Sequence, residues 1–208
     1  DVAVIRRAMA DAASVRRSPG PEGTEKLLNK RELKRLDHFF KEASPKVVAA
    51  VARIIKSVDT EDASVARGLI LRAVCARHPI KGPRAKSMRD VRAFARKLQS
   101  FTGAEMLERA TVLDLNSRVN TSNLDPTKLW GRRGVIRVDA TSDTAGDNDG
   151  LFQRFTGTCG PPTLQMMLCE ADPIYAFAVN EAGRNSDSII DSTSEFQSTL
   201  LEAYGGIS

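Results

Sequence analysis

Aromatic residues are scarce in this chain of 208 residues: one Trp, two Tyr and eight Phe. Few rings are therefore at hand to stack the bases of a single strand. Histidine is scarcer still, with only His38 and His78. Cysteine is limited to Cys75, Cys159 and Cys169, which form neither a disulfide framework nor the paired spacing of a zinc site. That usage predicts a reducing compartment such as the cytoplasm. Long apolar runs are also missing, since none approaches the roughly 18 residues that suggest a membrane span. A secretory signal pattern is not recognisable in Asp1-Val2-Ala3-Val4-Ile5-Arg6-Arg7, whose apolar part is too short and whose charges come late. Export without a conventional signal stays open, and a first residue of Asp rather than Met predicts that a segment has been removed or left out.

What is present is the composition of an ordinary soluble protein, 41% hydrophobic and 27% charged. The length allows one domain or two and a substantial core. The net charge of +5 conceals a division. Residues 1–110 carry 24 Lys/Arg against 13 Asp/Glu, an excess of +11, while residues 111–208 carry 7 against 13, or −6. Such asymmetry predicts two regions with different partners, or two faces that attract one another.

The first region reads as a basic helical domain. A helix from Val2 is broken by Ser18-Pro19-Gly20-Pro21-Glu22-Gly23. Thr24 is the expected cap of a second helix reaching Phe39 and Phe40, with Leu33 and Leu36 on the same face. Ser44-Pro45 caps a third, whose Val47, Val48, Val51, Ile54, Ile55 and Val58 make a wide apolar stripe. Thr60 opens a fourth through Val65, Leu69, Ile70, Ala73 and Val74, stopped near His78-Pro79. Ser87 caps a fifth holding Val91, Phe94, Leu98 and Phe101. Thr102-Gly103 ends it, and a short helix from Ala104 to Ala110 follows.

The character changes near residue 111. Val112-Leu113-Asp114-Leu115 and Val135-Ile136-Arg137-Val138 are β-branched-rich and near-alternating, and so predict short strands. A polar loop fills residues 116–128, and a second covers residues 139–150. Within it, Asp147-Asn148-Asp149-Gly150 matches the third to sixth positions of a calcium loop. Ala145 stands at the first position, however, and Thr156 at the twelfth, so a solvated turn is the better account and no metal is expected. Asp172-Pro173 starts a helix through Val179, Gly183-Arg184-Asn185-Ser186 breaks it, and Ser194 caps a last one through Leu201. The fold class is α+β and mostly α.

The strongest chemical signal is the run Phe152-Gln153-Arg154-Phe155-Thr156-Gly157-Thr158-Cys159-Gly160-Pro161-Pro162-Thr163-Leu164-Gln165-Met166-Met167-Leu168. Pro161 and Pro162 suit a first helical turn, where a missing N–H costs nothing. Leu164, Met167 and Leu168 form the stripe of a core-facing helix. Cys159 then lies at a helix N-terminus, whose unpaired N–H groups and partial positive charge stabilise a thiolate. The amide of Gln153 can join the Cys159 N–H as a second donor to an oxyanion. The plainer alternative is a small buried apolar residue, and Cys169, with no donors around it, is read that way.

Gln-x5-Cys-Gly-Pro ahead of an apolar helix resembles the nucleophile segment of papain-fold cysteine peptidases, in particular the bacteriocin-processing type that cuts leader peptides after a double glycine. The resemblance covers residues 153–168 and none of the first 110. It implies that residues 111–208 are part of a papain-like domain following the helical bundle. It further implies Cys159 as nucleophile, Gln153 and the Cys159 N–H as the oxyanion hole, a peptide or protein substrate, and no cofactor. The family places a His, then an Asp or Asn, downstream of the Cys, whereas 49 residues follow Cys159 here and none is His. The resemblance therefore implies a fragment of a longer or processed protein whose His comes from a C-terminal fragment or second chain. A permuted order with His78 as the base is the other arrangement.

The competing class is a non-catalytic helical interaction protein using the basic half. Lys30, Arg31, Lys34 and Arg35 cluster on one helix, and Arg89, Arg92, Arg96 and Lys97 on another. Basic stripes can neutralise phosphates, but they also describe the solvated faces of Arg-rich helices. An acidic protein partner, or the chain's own acidic half, ranks above nucleic acid on sequence alone. His38, between Asp37 and Phe39 near a helix end, is read as structural.

Overall fold

The computed structural model describes residues 1–17, 26–77, 85–111 and 167–185. The expected strands at 112–115 and 135–138, and the expected last helix from Ser194, lie outside the described residues. What is described is mostly helix; among these residues extended pairing is limited to one isolated antiparallel bridge, Arg16 to Lys26. One compact unit comprises Asp1–Thr111 with Ala171–Ile174, and a second comprises Val112–Glu170 with Tyr175–Ser208.

Six helices build the first unit: α1 (Val2–Ser14), α2 (Lys30–Glu42), α3 (Pro45–Lys56), α4 (Ala63–Arg77), α5 (Ala85–Leu98) and α6 (Gly103–Ala110). In α1 the buried residues Ile5, Ala8, Met9 and Ala12 follow helical spacing, so one stripe faces inward. The second helix starts later than Thr24 predicts. Asn29 caps it, its side chain accepting from the N–H groups of Arg31 and Glu32 at 2.9 Å each, and Glu32 Oε2 accepts from the Asn29 N–H at 2.9 Å. This reciprocal box satisfies N–H groups that have no partner inside the helix, and so places the start at Lys30. Leu27 and Leu28 are buried just before it without being helical.

Ser44 and Pro45 begin α3 as expected, with Val48, Val51, Ile54 and Ile55 inward. Thr60 sits in a turn, and α4 begins only at Ala63. Helix α4 packs against α1, α2, α3, α5 and α6. A helix surrounded in this way must be apolar on nearly every side, and Val65, Ala66, Leu69, Ile70, Leu71, Ala73 and Val74 are all buried. Arg67, half-buried on α4, donates to the carbonyls of Ile55 and Val58 at 3.3 Å each, where α3 ends and a cation is favoured. Helix α5 begins at Ala85, two residues before Ser87, and ends at Leu98, so Phe101 lies beyond it. Thr102 does not close α5 but opens α6 through a capping box with Glu105, and the Gly103 N–H donates to Asp62.

Residues 167–171 are also helical, and α7 (Pro173–Asn185) follows. Asp172 caps α7, its carboxylate accepting from the Ile174 N–H at 2.9 Å. The helix runs through Gly183-Arg184-Asn185, where a break was expected, because one glycine costs a helix only about 1 kcal/mol.

Candidate functional site

Gln153, Cys159 and His78 all lie outside the described residues. What the structure describes is the two other thiols, the cations and the groups that hold them. Cys169 is fully buried and packs with Ala176, Tyr175 and Val179, as a core residue should. The stripe expected around it is corrected: Met167 is 63% exposed and Leu168 38% exposed. A helix buries only part of its circumference, and on this turn the buried side is that of Cys169.

Cys75 lies on α4, partly buried. Burial pushes its thiol above the ordinary range and Glu32 adds to the rise, while Arg35 and Arg72 oppose it without reversing it. A thiol held neutral is a poor nucleophile.

Beside Cys75 sits a charged cluster that sequence reasoning did not identify. Glu32 Oε1 accepts from Arg72 Nε at 2.9 Å and from Arg17 at 3.2 Å. The Arg17 and Arg72 side chains are 1% and 2% exposed, and that of Glu32 18%. One carboxylate thus joins the segment after α1, the start of α2 and the middle of α4. The signal that could have found it is Asn29-x-x-Glu32, a capping-box pattern immediately before an amphipathic run. Arg17 and Arg72 carried no comparable signal, because their burial depends on how three elements meet.

The basic clusters occupy solvent-facing positions. On α2, Lys30, Arg31, Lys34, Arg35 and Lys41 are exposed, together with Asp37, His38 and Glu42. His38 is thus a surface residue near the end of its helix. On α5, Arg89, Arg92, Arg96 and Lys97 are exposed. Arg109 on α6 behaves differently, stacking over the Phe101 ring at 4.3 Å. Among the described residues no group of three His, Cys, Asp or Glu is placed to hold a metal ion, and no helix is long and apolar enough to cross a membrane.

Comparisons with protein-family models, curated proteins and solved structures found no match.

Proposed function

We propose that the chain belongs to a cysteine-nucleophile enzyme acting on peptide or amide bonds, with a papain-like arrangement around Cys159. The observation that carries this reading is the spacing Gln153-x5-Cys159 ahead of Gly160-Pro161-Pro162. In the proposed reaction the Cys159 thiolate attacks the carbonyl carbon, and the carbonyl π pair moves onto oxygen. The Gln153 amide and the Cys159 N–H donate to that oxyanion. Collapse breaks the C–N bond, an imidazole protonates the departing amine, and water then releases the acid and restores the thiol. With no His after Cys159 in these residues, the imidazole would come from a C-terminal fragment or second chain, or from His78 in a permuted order. The state of the other two thiols supports the choice of nucleophile by elimination. Cys169 is sealed in a core, and Cys75 is held neutral by burial.

Thiol labelling tests the assignment. In the folded chain iodoacetamide should modify Cys159 well before Cys75 and Cys169, even below about pH 7, because a helix N-terminus lowers a thiol pKa. Cys75 should become reactive only as pH rises past the ordinary thiol value of about 8.5, since its own ionisation lies higher still. Equal labelling of all three would remove Cys159 from the active role.

A second reading, the non-catalytic interaction module, is favoured by a separate observation: the cations of α2 and α5 lie on exposed positions. It predicts an inert Cys159 and a binding activity confined to the basic unit.

A further inference from the structure

Helix α5 turns a face rich in cations to solvent. Its exposed residues are Arg89, Arg92, Ala93, Arg96 and Lys97, while Val91, Phe94, Ala95 and Leu98 are buried. Positions i, i+3, i+4, i+7 and i+8 form a single helical face. No acidic residue stands three or four positions from Arg89, Arg92 or Arg96. Instead Arg89 and Arg92 are three apart and Arg92 and Arg96 four apart, spacings at which like charges oppose helix formation. Asp90 is half-buried at the flank of this face. Helix α2 has like pairs too, Lys30 with Lys34 and Arg31 with Arg35 four apart, but there Asp37 stands three residues after Lys34 and four before Lys41, so an acidic residue falls among its cations. On α5 no acidic residue at helical spacing offsets Arg89, Arg92 and Arg96, and an anion from outside would.

The surroundings narrow the anion. Among the described residues of the first unit, Val2 is the exposed large apolar side chain, and it lies on α1. On the described residues of α5 a protein partner would find no exposed large apolar or aromatic anchor of the kind that carries most protein–protein affinity. Without exposed rings on α5, base stacking is equally unsupported. Guanidinium forks suit phosphate oxygens, and the methyl of Ala93 at the centre of the stripe leaves room for close approach. The three arginines span about 10 Å of helix axis, against a phosphate every ~3.4 Å along one strand of a duplex. Exposure and the missing anchors thus reverse the order that sequence alone suggests between acidic protein and nucleic acid.

We propose that the exposed face of α5, through Arg89, Arg92, Arg96 and Lys97, binds the phosphate backbone of double-stranded nucleic acid without reading its sequence. This rests on the interaction reading and names its partner.

Fluorescence polarisation of the full chain with a labelled DNA duplex of about 20 base pairs tests it. Three or four phosphate contacts should weaken affinity by about 40- to 150-fold between roughly 50 and 200 mM salt, equally for unrelated sequences. Replacing Arg89, Arg92 and Arg96 together by Gln should remove most of that slope, while replacing all three by Lys should keep it, since the contacts lower the slope by about one each. Circular dichroism matched to the parent shows that both variants fold. The equivalent α2 variant, with Lys30→Gln, Arg31→Gln and Lys34→Gln, should leave the slope in place. Undiminished binding by the α5 Gln variant would overturn the assignment of the face. Tighter binding to polyglutamate of equal charge would replace nucleic acid with an acidic protein, and failure to bind either polyanion at about 50 mM salt would end the interaction reading itself.

Discussion

Glu32 serves three donors at once: the Arg17 and Arg72 guanidiniums on one oxygen and the Asn29 N–H on the other. Its value lies less in attraction than in what its loss would leave behind. Two guanidiniums that are almost wholly enclosed would face a neutral group, and breaking such a buried arrangement costs about 3–5 kcal/mol. Glu32→Gln, which keeps the side-chain shape, should therefore lower unfolding free energy by about 3 kcal/mol in a urea titration, with the slope m unchanged. A loss below about 1 kcal/mol would mean that water reaches the cluster and screens it like a surface pair. The exposed pair Lys56 to Asp1, at 3.2 Å, is such a surface case, and its removal should be nearly silent.

At the scale of elements, α4 is the axis of the first unit, and Gly68 sets how closely α1 approaches it. A Cβ at Gly68 would lie 2.5 Å from Leu27 Cδ2 and 2.9 Å from Ala12 Cβ. Alanine is the better helix former by about 1 kcal/mol. The forced shift of Ala12 on α1 and of Leu27 should outweigh that gain, because overpacking a filled core costs about 1–3 kcal/mol. Gly68→Ala should thus lower the melting temperature despite its propensity. A rise would show that Leu27 turns aside without cost. The same scale explains which helix boundaries were legible. Ser44-Pro45 and Asp172-Pro173 mark true starts because the cap residue bonds the helix locally. Thr24 and Ser87 were misleading for opposite reasons. A capping box at Asn29 sets the start of α2, and α5 extends two residues ahead of its expected cap.

For the whole molecule, the buried apolar residues from Ile5 to Ala110 supply a core within one stretch of chain. A length of about 110 residues is sufficient for independent folding. Residues 1–111 expressed alone should keep their helical circular dichroism and melt in one cooperative transition; a broad, non-cooperative melt would show that the unit depends on the rest of the chain. The opposite net charges of residues 1–110 and 111–208 add that the isolated basic fragment should adsorb to anionic resins more strongly than the full chain does.

Sequence alone determined the helical character of the first unit, the inward stripe of α3, and the division of charge. Each of these is a local property, set by spacing along the chain or by a count of charged groups. It also singled out Gln153 and Cys159 by spacing, and the cations of α5 by composition. Tertiary structure decided what no local pattern contains. It placed Arg17 and Arg72 around Glu32 across three elements, raised the Cys75 thiol by enclosing it, and left Met167 and Leu168 in solvent although Cys169, read as core from the sequence, is buried beside them. The burial of these polar and flanking residues arises from how separate elements meet, which apolar spacing along one helix does not encode.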